Sequence, residues 1–142
     1  MNYQSIRAKI EAPLLTAYNS QVPQVPVYFD NITAVPPDPP KEYVRVNITF
    51  GLTTEPALDG SLDYARGALI VRCFAPKGSG PARCQQMIAL AKEVIDTLNS
   101  TRKTSGSAYV RVGQITGPSF QAPENFPHFV GRIDAGWQAN AA

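Results

Sequence analysis

The stretch Leu69-Ile70-Val71-Arg72-Cys73-Phe74-Ala75-Pro76-Lys77-Gly78-Ser79-Gly80-Pro81 decides how this chain folds. Its first half alternates: Leu69, Val71 and Cys73 fall on one side, and Ala68, Ile70, Arg72 and Phe74 on the other. Successive side chains of a strand point to opposite faces, so the pattern predicts a strand over 64–75. Apolar groups on both sides predict burial of both faces, or one face against a helix and the other against a partner chain. The second half is a turn that leads into a helix. Gly80 suits the N-cap, and Pro81 suits the first helical position, where its missing N–H would have no partner anyway. Cys84, Met87, Ile88, Ala91, Val94, Ile95 and Leu98 then recur at intervals of three and four. That spacing places them on one face of a helix over 81–99, with Gln85, Gln86, Lys92, Glu93 and Asp96 facing solvent.

Upstream, residues 42–50 alternate strictly, with Val44, Val46, Ile48 and Phe50 opposite Tyr43, Arg45, Asn47 and Thr49. The polar stretch 51–63, with Gly51, Pro56 and Gly60, predicts a long loop joining two antiparallel neighbours. Near the N-terminus, Ile6, Ile10, Leu14 and Leu15 predict an amphipathic helix over 3–18, which Pro13 either ends or divides. Residues 25–31 predict a short edge strand, because Pro26 cannot donate to a ladder. Pro36-Pro37-Asp38-Pro39-Pro40 predicts a stiff surface loop. Downstream, residues 100–108 are polar, 109–115 alternate, and a turn containing Gly117 and Pro118 leads to a last strand over 127–137. In that strand Phe129, Ile133 and Trp137 share one parity. The sum is an α+β fold in one domain over 1–142, a mostly antiparallel sheet of four to five strands packed with two helices.

The composition narrows the function. The chain has 142 residues, 44% hydrophobic and 17% charged, enough for a single folded core. Thirteen basic and 11 acidic residues give a net charge of +2, without the strong basic excess of a nucleic-acid binder. No apolar run approaches the roughly 20 residues of a membrane helix. Arg7, Lys9 and Glu11 without a following apolar core do not make a signal peptide, so the expected compartment is a cytoplasm. There Cys73 and Cys84, eleven residues apart, are expected to be buried free thiols rather than a disulfide or a zinc site.

No catalytic constellation stands out, and neither a cofactor nor a metal is expected. The single histidine, His128, alternates with Val130, Arg132 and Asp134 on a strand and reads as a partly exposed structural residue. No serine lies in a nucleophile elbow. Gly78-Ser79-Gly80 lacks the spacing of a phosphate-binding loop. Glu55, Asp59 and Asp63 lie four apart without the ligand ladder of a calcium loop, and read as solvated. Surface for association stands out instead. Arg45, Arg72 and Arg132 lie on strand faces, Ile70 and Phe74 on a second apolar face, and Glu55, Asp59, Asp63 and Arg66 in or beside the long loop. These nine residues are the candidate interface.

Four segments carry a resemblance. They are Ser5-Ile6-Arg7-Ala8-Lys9-Ile10, then Val27-Tyr28-Phe29-Asp30-Asn31 followed by the Pro-rich link into Glu42-Tyr43-Val44-Arg45-Val46. The third is Arg66 to Gly80 running into the apolar helix, and the fourth a glycine-marked pair of closing strands. In these the chain resembles the tail-terminator-like proteins of tailed phages, the lambda-type terminator family. The density of the Pro-rich run departs from the family pattern. The resemblance implies a structural virion protein and no enzyme. Subunits would form a ring, typically a hexamer, on the last ring of the tail tube, stop its polymerisation and offer a docking surface to neck or head-completion proteins. DNA would pass through the lumen unread. The same resemblance keeps a neck protein and a tail-tube subunit in view, and a small ligand-binding domain is the alternative of another class.

Overall fold

The computed structural model describes residues 3–32, 41–54, 63–78, 80–101 and 109–140. In chain order these form α1 (Tyr3–Asn19), β1 (Val27–Tyr28), β2 (Tyr43–Thr54), β3 (Tyr64–Pro76), α2 (Ala82–Ser100), β4 (Tyr109–Gln121) and β5 (His128–Asn140). The strands make one five-stranded sheet in the order β1-β2-β3-β5-β4. Every pairing is antiparallel except β1 with β2. The expected α+β class is what the chain adopts, with β2 and β3 as antiparallel neighbours.

Both helices lie on one side of the sheet, because only one parity of each strand offers an unbroken apolar surface. Val44, Val46 and Ile48 of β2, Leu69, Val71 and Cys73 of β3, and Ile133, Ala135 and Trp137 of β5 join the helix stripes in one buried cluster. From α2 come Cys84, Met87, Ile88, Ala91, Ile95 and Leu98, and from α1 Ile6, Ile10, Leu14 and Tyr18. The Tyr18 hydroxyl, fully buried, donates to the Met87 carbonyl at 2.7 Å, so the one polar atom of that ring is satisfied where the two helices meet. Arg83 of α2 grips Glu42 with two nitrogens, at 2.6 and 2.8 Å, and ties the start of the helix to the start of β2. At the other end the Leu98 carbonyl accepts from the N–H and hydroxyl of the capping residue Thr101, and Arg111 of β4 adds a third donor.

One close approach fixes the register of the three central strands. Gly67 of β3 is paired with both Phe50 and Trp137. A Cβ built on it would stand 1.8 Å from the Thr49 carbonyl oxygen and 2.8 Å from the Trp137 ring. With only a hydrogen there, Trp137 lies across β3, meets Phe50 of β2 edge-on at 5.0 Å, and donates from Nε1 to the Ala68 carbonyl.

Several expectations are corrected. The stretch 51–63 is not all loop: β2 runs on to Thr54, past a register shift between Phe50 and Leu52, and Asp63 is buried at the start of β3. α1 is continuous through Pro13, which is exposed, as is Lys9, whose carbonyl loses its helical donor there. The stripe of α1 closes on Tyr18, and Leu15 is exposed. β4 extends through Gly117 and Pro118 to Gln121, with two register shifts, because an edge strand tolerates a missing donor. β1 is an edge strand as expected, but has two residues. Pro81 occupies the N-cap of α2, one residue later than expected. The Pro-rich run 36–40 lies outside the described residues.

Gly67→Ala should therefore destabilise the fold by about 3 kcal/mol, the upper end for an overpacked core. Its chemical denaturation midpoint would fall well below that of Gly136→Ala on β5, where the nearest atom to a new Cβ is 3.8 Å away.

Candidate functional site

With both helices on one side, the opposite face of the sheet is left to the other parity of each strand. Arg45 is paired with Arg72, and Arg72 with Arg132. Three arginines thus stand abreast on β2, β3 and β5, where like charges directly opposite one another repel. Ser119 of β4 continues the row. Asn47, Ile70 and Asp134 form the next row, again in mutual register.

One of the three charges is ion-paired and the other two are tethered by neutral oxygens. Arg132 holds Asp134 with Nε and Nη2 at 2.7 and 3.1 Å, and this draws the Asp134 carboxyl below its usual range. Arg72 donates to the Asn47 side-chain oxygen at 3.0 Å. Arg45 reaches the Ile32 carbonyl at 3.4 Å. Partial burial, then the positive charges of Arg132 and Arg45, push the Arg72 guanidinium below its ordinary value, with Asp134 working the other way. A cation crowded by cations gains from any anion brought to it. Arg72, Ser119, Gln121, Val130, Arg132 and Asp134 line a depression of about 350 Å³ there.

Asn47 links this face to a second polar group at the β2 edge. Beyond β1, the Asp30 carboxylate accepts from the Ile48 N–H at 2.9 Å, from Arg7 at 2.5 Å and from the Asn47 amide at 2.7 Å. The side chain thus takes over the edge of β2 where β1 stops. Burial opposes its charge, but the Ile48, Arg7 and Asn47 hydrogen bonds outweigh that and hold the carboxyl below the usual range. Asn31, with φ of 62°, turns the chain away immediately after.

The far end of the open face is closed by the chain itself. Phe74 stacks on Tyr43 at 4.3 Å, and Phe126, from the connection before β5, packs edge-on against it. Phe74 is 8% exposed, which corrects its place among the candidate interface residues. His128, expected to be partly exposed, is fully buried beside Tyr43 and Phe126, with Nε2 at 2.8 Å from the Lys41 carbonyl.

Of the other expected interface residues, Ile70 flanks the arginine row half-buried. Arg66 shares the parity but sits six residues along β3, opposite Leu52 and Gln138, outside the row. Asp63 is buried, and Glu55 and Asp59 lie outside the described residues. The alignment of the arginines, and the parts of Asn47 and Asp134, were not foreseen. The signal for Asp134 was its parity with Arg132.

Burial raises both thiols, Cys73 to about 12. Among the described residues, no group of three or more His, Cys, Asp or Glu is placed to hold a metal ion, and no helix is long and apolar enough to cross a membrane.

No family model and no curated protein matches the chain. It is similar to a solved structure whose name is a bare identifier, with a TM-score of 0.73 and 24% identity, over 100% of this chain and 98% of that one. At that identity the likeness shows the fold.

Asp30→Asn should cost about 1–2 kcal/mol near neutral pH, the range of a charge-assisted hydrogen bond partly kept by the amide. Since the folded carboxyl titrates below its unfolded value, its contribution is complete above pH ~4 and is lost as pH falls through the folded value. Urea unfolding of both proteins from neutral to acid pH should show the stability gap narrowing below about pH 4.

Proposed function

We propose that this chain is a structural subunit of a tailed-phage tail, of the terminator type. It closes into a ring on the last ring of the tail tube, stops tube growth and offers a docking surface to neck or head-completion proteins. Its site would be the virion tail–neck junction, after assembly in a host cytoplasm, with DNA only passing through the lumen. The reading rests on the resemblance, which spans nearly the whole sequence, and one structural observation carries it. Both helices cover one side of the sheet and leave the other with three aligned arginines beside Ile70 and Val130. Charge and apolar surface presented together suit a heterologous contact, in which two different patches of the same chain meet and repetition by rotation closes a ring. Individual exposed ion pairs contribute only about 0–1 kcal/mol, so they would set orientation while buried apolar area supplies most of the stability. A terminator also needs unlike ends: one that matches the tube and one that accepts no further ring.

Light scattering behind size exclusion, across protein and salt concentration, with negative-stain imaging of the largest species, tests this. A closed ring of fixed mass is the expected result. Rods that lengthen with concentration would instead identify a tube subunit. If the protein is monomeric throughout, it should still cap purified tail tubes, and failure to cap them would defeat the reading.

A further inference from the structure

We infer that Arg72 and Arg132, with Arg45 beside them, form a binding site for a phosphate monoester on the open face of the sheet. The row costs the fold stability. Arg45 is in register with Arg72 and Arg72 with Arg132, so three cations face one another across strands about 4.8 Å apart. Departures of this kind from local rules gather at functional sites.

Two of the three guanidiniums are held in place by neighbours that are themselves fixed. Asp30 accepts from the Ile48 N–H and from Arg7, and its Oδ1 accepts from the Asn47 amide at 2.7 Å. That bond commits the amide nitrogen to Asp30 and presents the Asn47 oxygen to Arg72, which donates to it at 3.0 Å. Arg132 is held by both oxygens of Asp134. An arginine that floats in solvent loses rotamer freedom when it grips a ligand, and these two have given up much of that freedom already. Among the described residues, Arg72 uses a single N–H donor, on Asn47, and Arg45 a single one, on the Ile32 carbonyl. The other donors of each guanidinium remain for a ligand.

Charge and shape select the ligand. Three guanidiniums less the Asp134 carboxylate leave two positive charges in these two rows. A phosphate monoester carries about −1.5 to −2 near neutral pH, and its terminal oxygens match the planar fork of a guanidinium. A carboxylate or a phosphodiester brings one negative charge and leaves half the excess standing. Ser119, in register with Arg132, and Gln121, in register with Val130, line the depression of about 350 Å³ beside the arginines and supply neutral donors. Val130 lines it too and offers apolar surface to the carbon part of the ester. The volume is at the small end of ligand pockets, room for a phosphate and a short substituent.

Inorganic phosphate and phenyl phosphate are the probes. Calorimetric titration and thermal melting are run at one ionic strength, with chloride making up the difference, so that screening is held constant. The wild type is expected to bind both probes saturably and to melt higher with either bound. Arg72→Gln should weaken both at least tenfold. Asn47→Ala keeps every arginine but releases Arg72, and should weaken binding several-fold, which a merely electrostatic patch would not show. Arg66→Gln, on the same face but outside the row, should bind as the wild type does. Circular dichroism checks that each variant folds, and Arg132→Gln, with the same tenfold loss expected, replaces Arg72→Gln if that protein does not.

Absence of saturable binding overturns the inference, whether the face is bare or covered by another copy. An equal response in the wild type and Arg72→Gln overturns it as well, since that is a general salt effect. If a short DNA duplex binds through the row and excess phenyl phosphate does not displace it, the row serves phosphodiesters and the monoester site falls. Ring formation is read from mass and phosphate binding from heat, so either reading can fail without the other.

Discussion

Trp137 lies across the backbone of β3 at Gly67 and touches Phe50 on the strand beyond. Its ring spans three strands, and it fits only because one position in the middle strand has no side chain. A slip of one residue between β3 and either neighbour would bring a Cβ under the ring and turn every side chain of the slipped strand to the opposite face. The helix-facing cluster and the arginine row both depend on that register. The constraint that builds the core on one side of the sheet therefore also sets the charges abreast on the other.

Much of the fold was legible because its strongest elements are periodic. The alternation of Val44, Val46 and Ile48, that of Leu69, Val71 and Cys73, and the stripe of α2 each record which side faces the core. What was not legible depended on neighbours. Gly51 to Thr54 belong to β2 only because Arg66, Ala65 and Tyr64 pair with them. Gly117 and Pro118 resemble a turn, and are tolerated in β4 because that strand lies at the edge. Pro13 resembles a helix end, yet lies on the exposed side of α1, away from the buried stripe.

The candidate site divides in the same way. Each arginine could be assigned to a strand face from its own sequence neighbours. Their alignment required the register of β2 with β3 and the insertion of β5 between β3 and β4, and no local pattern encodes either. Phe74 has the parity of the open face, but Phe126 folds over it from a connection whose path is not written in alternation. His128 is buried by the same aromatic group.

The sheet edges bear on how the chain behaves in a crowded cell. At the β2 edge Asp30 bonds the Ile48 N–H, and at the β4 edge the Asn99 amide bonds both the N–H and the carbonyl of Val112. Two side chains thus occupy main-chain positions that an incoming strand would use, and the bulged, proline-bearing half of β4 offers a poor template. Strand addition, the usual route from a solitary sheet to indefinite aggregates, is impeded at both ends. Any association would then fall to the open face of the sheet, where side-chain identity and not backbone geometry chooses the partner.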